Sequence, residues 1–237
     1  MQYSSVTAAR FLQRPNRFVA LVEQDGRVLT VHVKNTGRCA ELLTPGAVVY
    51  LTPGLNPARK TPFDLIAVEK QTPAGPLLIN MDSAAPNAAA REWLAAGGLG
   101  PLTVLKPEYR LGDSRFDFYG EGPGGRLLVE VKGCTLEEDG LARFPDAPTL
   151  RGLKHVRELI ALAAQGWNCA VLIVIQMKGV HTFAPNWSTQ PAFGQALAQA
   201  KATGVRLLAM DCLVTPDRMT IDRPVPIDLT PPPGLSL

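Results

Sequence analysis

Asp117, Glu130 and Lys132 are the residues of this chain whose types and spacing could do chemistry. They lie in Asp113–Lys132, DSRFDFYGEGPGGRLLVEVK, where Phe116, Phe118, Val129 and Val131 alternate with polar neighbours. That period of two marks a half-buried strand, and the glycine- and proline-rich Gly120–Gly125 supplies a turn. The stretch therefore reads as a hairpin, with the phenylalanines and valines facing a core and Arg115, Asp117 and Tyr119 on the opposite face. In the obvious register Asp117 and Glu130 are neighbours on adjacent strands, with Lys132 beside them. Two carboxylates are hard oxygen ligands suited to Mg²⁺ or Mn²⁺. A metal held there polarises a phosphate oxygen and acidifies a bound water. The lysine stabilises developing negative charge or positions the attacking water. Together they suit metal-assisted phosphodiester cleavage, and either Glu108 or Asp113 could complete the metal shell. Alone, a Glu-x-Lys triplet on a strand face is more often a solvated surface pair, so the surrounding elements decide the matter.

Those elements fall into two groups, expected as domains over residues 1–84 and 85–237. In the first, short strands are expected at Phe18–Glu23, Val28–Val33, Ala47–Leu51, Phe63–Lys70 and Leu77–Asn80. Asp25-Gly26 is a hairpin signal, and Pro45-Gly46, Pro53-Gly54 and Pro73–Pro76 punctuate the rest. Five short strands with no long helix suggest an OB-like β-barrel, a fold often used on oligonucleotides. Lys34-Asn35-Thr36-Gly37-Arg38 follows the second strand as a tight turn that could offer N–H groups and cations to phosphate. An ordinary exposed turn is the plainer reading.

In the second group, Asn87 is expected to cap a helix through Ala96, ended by Gly97-Gly98. Leu102–Tyr109 is a strand leading into the hairpin. Thr149 caps a helix over Leu150–Gln165 whose buried stripe is Leu153, Val156, Leu159 or Ile160, and Ala163. Arg151, Lys154 and His155 fall on its other side, near where a phosphate backbone could lie. Cys169–Gln176 is a continuous apolar strand, as expected when both faces are covered. A helix over Pro191–Thr203, a strand over Val205–Leu213 and an extended or disordered tail from Pro224 complete an α/β domain with a mixed sheet.

Composition sets the outer bounds. The chain has 237 residues, 46% hydrophobic and 19% charged, which is ordinary for a folded protein. Its four cysteines are scattered without a Cys-x-x-Cys pair and its three histidines lack ligand spacing, which argues against a zinc site or a disulfide framework. No apolar run is long enough to span a bilayer and no signal peptide is visible, so the expectation is a cytoplasmic protein with no membrane partner. The net charge is +3. All of that excess lies in residues 1–84, where nine lysines and arginines face six acids and Arg10, Arg14 and Arg17 cluster at the start. A modest basic surface suits an anionic polymer such as DNA. A homodimer is compatible with these features.

The Asp-x12-Glu-x-Lys spacing, on the second and third strands of an α-β-β-β-α-β order, resembles the PD-(D/E)xK nuclease superfamily, although no proline precedes Asp117. More specifically, the chain resembles the sugar fermentation stimulation protein A (SfsA) family. The matching pieces include Arg14-Pro15-Asn16-Arg17-Phe18, Asn35-Thr36-Gly37, Leu43-Thr44-Pro45-Gly46-Ala47, Asp113-Ser114-Arg115-Phe116-Asp117-Phe118, Glu130-Val131-Lys132, Phe144-Pro145-Asp146-Ala147-Pro148-Thr149 and Arg151-Gly152-Leu153-Lys154-His155. They run in order over nearly the whole chain. The resemblance implies an N-terminal OB-like domain joined to a PD-(D/E)xK-like domain, DNA binding, and a regulatory link to sugar metabolism in bacteria, maltose especially. Two departures stand out. Lys34 and Arg38-Cys39 replace the family's usual proline and Ser-Met around Asn-Thr-Gly, and Gly133 replaces a hydroxyl residue after Glu-Val-Lys.

Three functions follow as hypotheses. In a metal-dependent DNase, Asp117, Glu130 and the Val131 carbonyl hold Mg²⁺ or Mn²⁺ and Lys132 assists the nucleophile. In a DNA-binding transcriptional regulator the nuclease fold is vestigial. A carbohydrate-binding regulator would use the barrel, but three tryptophans leave few stacking platforms for sugars. The first two share DNA as partner, gripped without sequence preference at its phosphates by Arg14, Arg17, Lys34, Asn35, Arg38, Arg151, Lys154 and His155. Salt-insensitive DNA binding would count against both.

Overall fold

Apolar residues at alternate positions make the first third of the chain a set of strands whose inner faces close on one another. The computed structural model describes every residue except Thr36, Leu55, Pro57, Ser236 and Leu237. Strands β1 (Thr7–Asn16), β2 (Val19–Gln24), β3 (Arg27–Val33), β4 (Val48–Pro53) and β5 (Phe63–Thr72) form a ring in the order β1-β2-β3-β5-β4 and back to β1. The parallel pairs His32↔Asp64 and Val33↔Leu65 close it, and the remaining pairings are antiparallel. This is a five-stranded OB-like barrel, filled by Val22, Val31, Leu51 and Leu65. Asp25 and Gly26 have φ of 51° and 73°, the two positive values that a type I′ hairpin turn requires.

The membership of the ring corrects one expectation. The five expected strands correspond to β2–β5 and to β6 (Gly75–Asn80), which pairs with β5 outside the ring. The true first strand was missed. In TAARFLQRPN only Ala9 and Phe11 are buried, and register shifts at Phe11/Gln13 and Gln13/Asn16 interrupt its ladder with β2. The contrast between its faces is therefore too weak to read.

The second region comprises α1 (Ala85–Ala95), β7 (Val104–Leu111), β8 (Ser114–Gly122), β9 (Gly125–Cys134), β10 (Leu136–Glu138), β11 (Leu141–Phe144), α2 (Leu150–Ala164), β12 (Asn168–Ile175), β13 (Thr182–Pro185), α3 (Pro191–Ala202), β14 (Arg206–Thr215) and β15 (Arg218–Pro224). Its main sheet has the order β15-β14-β12-β9-β8-β7. The three central strands are parallel and the outer ones antiparallel, so the sheet is mixed. Ala89, Ala90 and Leu94 of α1 pack on one face against Val129, Leu172 and Val174. Val156 and Leu159 of α2 and Phe193 and Leu197 of α3 cover the other, against Leu128, Val171 and Ile173. Strand β12 is buried on both faces, as its unbroken apolar run implies. The small β10-β11-β13 sheet and strand β15 were not expected. The tail runs on from β15, and Ile227 bridges Phe183, so this part is held in place.

Polar contacts fasten the barrel to the sheet. Gln176, at the end of β12, donates from Nε2 to the Asn80 carbonyl at 3.0 Å and to the Asp82 carbonyl at 3.2 Å. Lys70 on β5 reaches Glu137 on β10 at 2.6 Å, with both side chains largely buried. Burial pushes the Glu137 pKa up, but the Lys70 and Gly140 hydrogen bonds outweigh it and hold the carboxyl below its usual range. Replacing Lys70 with methionine leaves that carboxylate short of its partner, an expected loss of about 3 kcal/mol near neutral pH. Because the folded pKa is depressed, this stabilisation is present above the ordinary carboxylate range and lost as pH falls through the lower folded value. Urea unfolding of both proteins at about pH 7 and about pH 3 checks it: the difference should shrink in acid, and a pH-independent difference would refute the assignment.

Candidate active site

The β8–β9 hairpin forms in the register its alternation predicts, up to the pair Phe118↔Val129. There the strands part. Instead of continuing the ladder, Asp117 accepts the Val131 N–H on its Oδ2 at 2.8 Å. Its Oδ1 accepts from the Asn87 side-chain amide at 2.9 Å. Asn87 is thus not the helix cap expected of it. The cap position is Ala84, and Asp82 receives the Ala84 N–H on its side chain at 2.8 Å. From the first turns of α1, Asn87 holds Asp117 at the fork of the hairpin. The single-face reading of the hairpin also needs correction: Phe118, Val129 and Val131 pack toward α1, whereas Phe116 and the buried Tyr119 join the other core.

Glu130 is 2% exposed and points toward α2. Lys132 Nζ and His155 Nδ1 both donate to its Oε1. Its Oε2 is buried and has no hydrogen-bond partner. Burial pushes the Glu130 pKa up, but the His155 and Lys132 contacts prevail and keep it below the usual carboxylate range. Asp117 is shifted the other way, raised first by burial and then by the Glu130 charge, against Lys132, the Val131 N–H and Asn87. Glu130 thus keeps one buried oxygen without a partner, and its charge is felt by Asp117, a half-buried carboxyl.

The oxygen donors there are of the kind a small hard cation takes. Among the described residues no group of three or more His, Cys, Asp or Glu side chains converges on one point. The donor set is two carboxylates and the neighbouring backbone carbonyl, all oxygen. Mg²⁺ is commonly held by one or two carboxylates and keeps several waters, so so small a set suits it. Glu108 points elsewhere, exposed and 3.7 Å from Arg115. Asp113 lines an outer cavity beside His155. The cysteines are free and buried. Burial pushes the thiol pKa of Cys39, Cys134 and Cys212 up to about 12, which disfavours a thiolate ligand.

The expected phosphate contacts divide. His155 is buried at 6% exposure and serves Glu130 rather than a surface. On the helix it adjoins Gly152, Val156 and Leu159, so the buried stripe is wider than the apolar letters indicate. Arg151 and Lys154 are exposed and line the same outer cavity as His155. On the barrel, Arg17 is exposed with its guanidinium 4.6 Å above the Phe18 ring, and Arg38 is exposed. Lys34 is held by Asp82 at 2.7 Å. Asn35 accepts the Gly37 N–H at 2.8 Å. Thr36 lies outside the described residues. A Cβ on Gly37 would run into Asp146, so this turn is pressed against the segment after β11.

Arg14 has a different task from the one its charge suggests. It donates to the carbonyls of Arg17, Asn35, Gly37 and Arg38, all within 2.9 Å, and so shapes the turn that carries Arg38. Arg14→Ala is expected to cost about 2 kcal/mol in urea unfolding through the lost charged hydrogen bonds. Arg14→Lys, which keeps the charge but not the planar fork, should lose most of the same stability. Full stability of the lysine variant would contradict this role. The family departure at Gly133 also has a structural cause. A Cβ there would meet Gln176 Oε1 at 2.5 Å and Pro86 Cγ at 2.6 Å, so glycine is what this packing accepts.

Asn87 and the buried placement of His155 were the features sequence reasoning missed. The only available signals were the proximity of Asn87 to a helix start and of His155 to the stripe of α2.

Comparison with known proteins gives a consistent result. Residues 12–77 match the family model described as the SfsA N-terminal OB domain, and residues 84–218 match the sugar fermentation stimulation protein RE domain. A sugar fermentation stimulation protein homolog of Desulfitobacterium hafniense (strain DSM 10664 / DCB-2) is 52% identical over 217 residues, spanning 92% of this chain and 93% of that protein. A homolog from Clostridium beijerinckii is 48% identical over 222 residues, spanning 93% and 96%. The structure of Pyrococcus furiosus SfsA in complex with Ca²⁺ is similar with a TM-score of 0.83 and 28% identity, covering 96% of this chain and 98% of that one.

Proposed function

The chain belongs to the sugar fermentation stimulation protein family, and on that premise we propose that it is a DNA-binding protein with a metal-dependent deoxyribonuclease site. The observation that carries the reading is the unpartnered, buried Glu130 Oε2, together with an Asp117 carboxyl that feels the Glu130 charge. The solved relative was obtained in complex with Ca²⁺, which supports a capacity for a divalent cation. Asp117, Glu130 Oε2 and the Val131 carbonyl would hold Mg²⁺ or Mn²⁺, whose chemistry when bound is to polarise a phosphate oxygen and acidify water. His155 and Lys132 keep Glu130 ionised and its second oxygen free. Asn87 and the Val131 N–H orient Asp117. Lys132 is 15% exposed, enough for its ammonium to meet charge developing on a phosphate. Exposed Arg17, Arg38, Arg151 and Lys154 bind the backbone, while Arg14, Lys34 and Asn35 shape the barrel turn and His155 acts at Glu130.

We place the boundary between DNA-binding barrel and catalytic domain near residue 84. The family name links these proteins to sugar fermentation, and a role in regulating sugar metabolism, including maltose, belongs to the same proposal. Among the described residues no helix is long and apolar enough to cross a membrane; a cytoplasmic location and a homodimer are part of the proposal.

The test is incubation with single-stranded, duplex and branched DNA in Mg²⁺, Mn²⁺ or EDTA. Strand cleavage that needs the metal is expected. Intact DNA throughout, despite salt-sensitive binding, would contradict the nuclease and favour the regulator, a second reading that the OB-like barrel also supports.

A further inference from the structure

Leu150 is the most exposed large apolar side chain among the described residues, at 80%, and neither hydrophobic core includes it. A lone exposed leucine is unremarkable in itself. Its position is what matters. It begins α2, where Thr149 accepts the Gly152 N–H at 3.0 Å and donates its own N–H to Gln190 at 2.8 Å, so the backbone beneath it is fixed. It stands on the rim between two surface cavities, one reaching His155 and the other running along α2 past Arg157. Arg115, Arg151, Lys154 and Arg157 line these cavities with it, against two acids, Asp113 and Glu158. Their partners are loose: Lys154 is 3.5 Å from Glu158 and Arg115 is 3.7 Å from Glu108. The result is an apolar tip among four cations that outnumber the acids beside them two to one, next to the cavity that reaches the histidine on Glu130.

We propose that Leu150 is a wedge that enters between neighbouring bases of bound DNA while the surrounding cations hold the flanking phosphates. Phosphate contacts fix position without reading sequence. Apolar side chains inserted between base steps unstack them at a cost of a few kcal/mol per step. DNA whose stacking is already broken avoids that cost, so the favoured substrate is gapped, branched or single-stranded rather than continuous duplex. The wedge rests on the DNA-binding reading above and names its substrate class.

The test measures affinity by fluorescence anisotropy in EDTA, where no strand is cut, for a continuous duplex and the same duplex with a gap. Wild type should prefer the gapped DNA by roughly tenfold, a part of the unstacking cost. Leu150→Ala should lose that preference, binding the two DNAs about equally, and unfold at the wild-type temperature. A wild type without preference, or a variant that keeps it, overturns the wedge alone. Failure of wild type to bind either DNA overturns the underlying reading and the wedge with it.

Discussion

Lys132→Met is expected to reduce metal-dependent DNA cleavage by about 10²–10³-fold, the usual cost of removing one group that stabilises transition-state charge. DNA affinity should stay close to wild type, because the phosphate grip is assigned to other cations. Methionine preserves most of the aliphatic stem, and His155 still donates to Glu130, so the carboxylate keeps one of its two partners. The variant will lose some stability, since a buried charge is less well compensated. That loss is separable. A lysine serving only the fold would lower the unfolding midpoint without slowing cleavage per folded molecule, whereas a lysine at the reacting phosphate slows it directly. Lys132→Arg should not rescue the rate, because the guanidinium fork cannot place a compact charge at the same point. Wild-type cleavage by Lys132→Met would remove the lysine from the chemistry.

The second large effect is in salt. Binding as proposed, through Arg17, Arg38, Arg151, Lys154 and their neighbours, would release counterions from DNA. With about four phosphates neutralised, log K should fall with log salt at a slope of about −3.6, roughly a hundredfold loss between about 50 and 200 mM. Changing Arg151 or Lys154 to alanine should each flatten that slope by about one. Lys34→Ala should leave it nearly unchanged, because Asp82 already holds that ammonium. Titrations over this salt range decide the point. A flat dependence would mean that the exposed cations do not face phosphate.

The hairpin that carries Asp117, Glu130 and Lys132 was legible because its information is local. Alternation along two apolar runs, with a glycine-rich turn between, is enough to set the β8–β9 register as far as Phe118↔Val129, but not to show that the strands part there or that Phe116 faces the other core. The closed barrel was legible in its strand count but not its membership, since β1 buries too few of its side chains to announce itself. What failed were residues whose local preference was overruled by distant partners. Asn87 near a helix start looks like a cap until Asp117 claims its amide. Arg14 in a basic cluster looks like a phosphate ligand until four carbonyls surround it. His155 among charged neighbours looks solvated until the fold brings Glu130 against it. In each case the deciding partner lies at least twenty-one residues away, apart from the Arg17 carbonyl. Periodicity carries no trace of such a contact.

The central claim is that Asp117 and Glu130 make a cation site, and calorimetric titration of Mn²⁺ into wild type, Asp117→Asn and Glu130→Gln tests it most directly. The amides keep the size of each side chain but remove its charge. A single site in wild type, lost or greatly weakened in both variants while each remains folded, is the predicted result. No binding by wild type, or binding that both variants retain, would contradict the account.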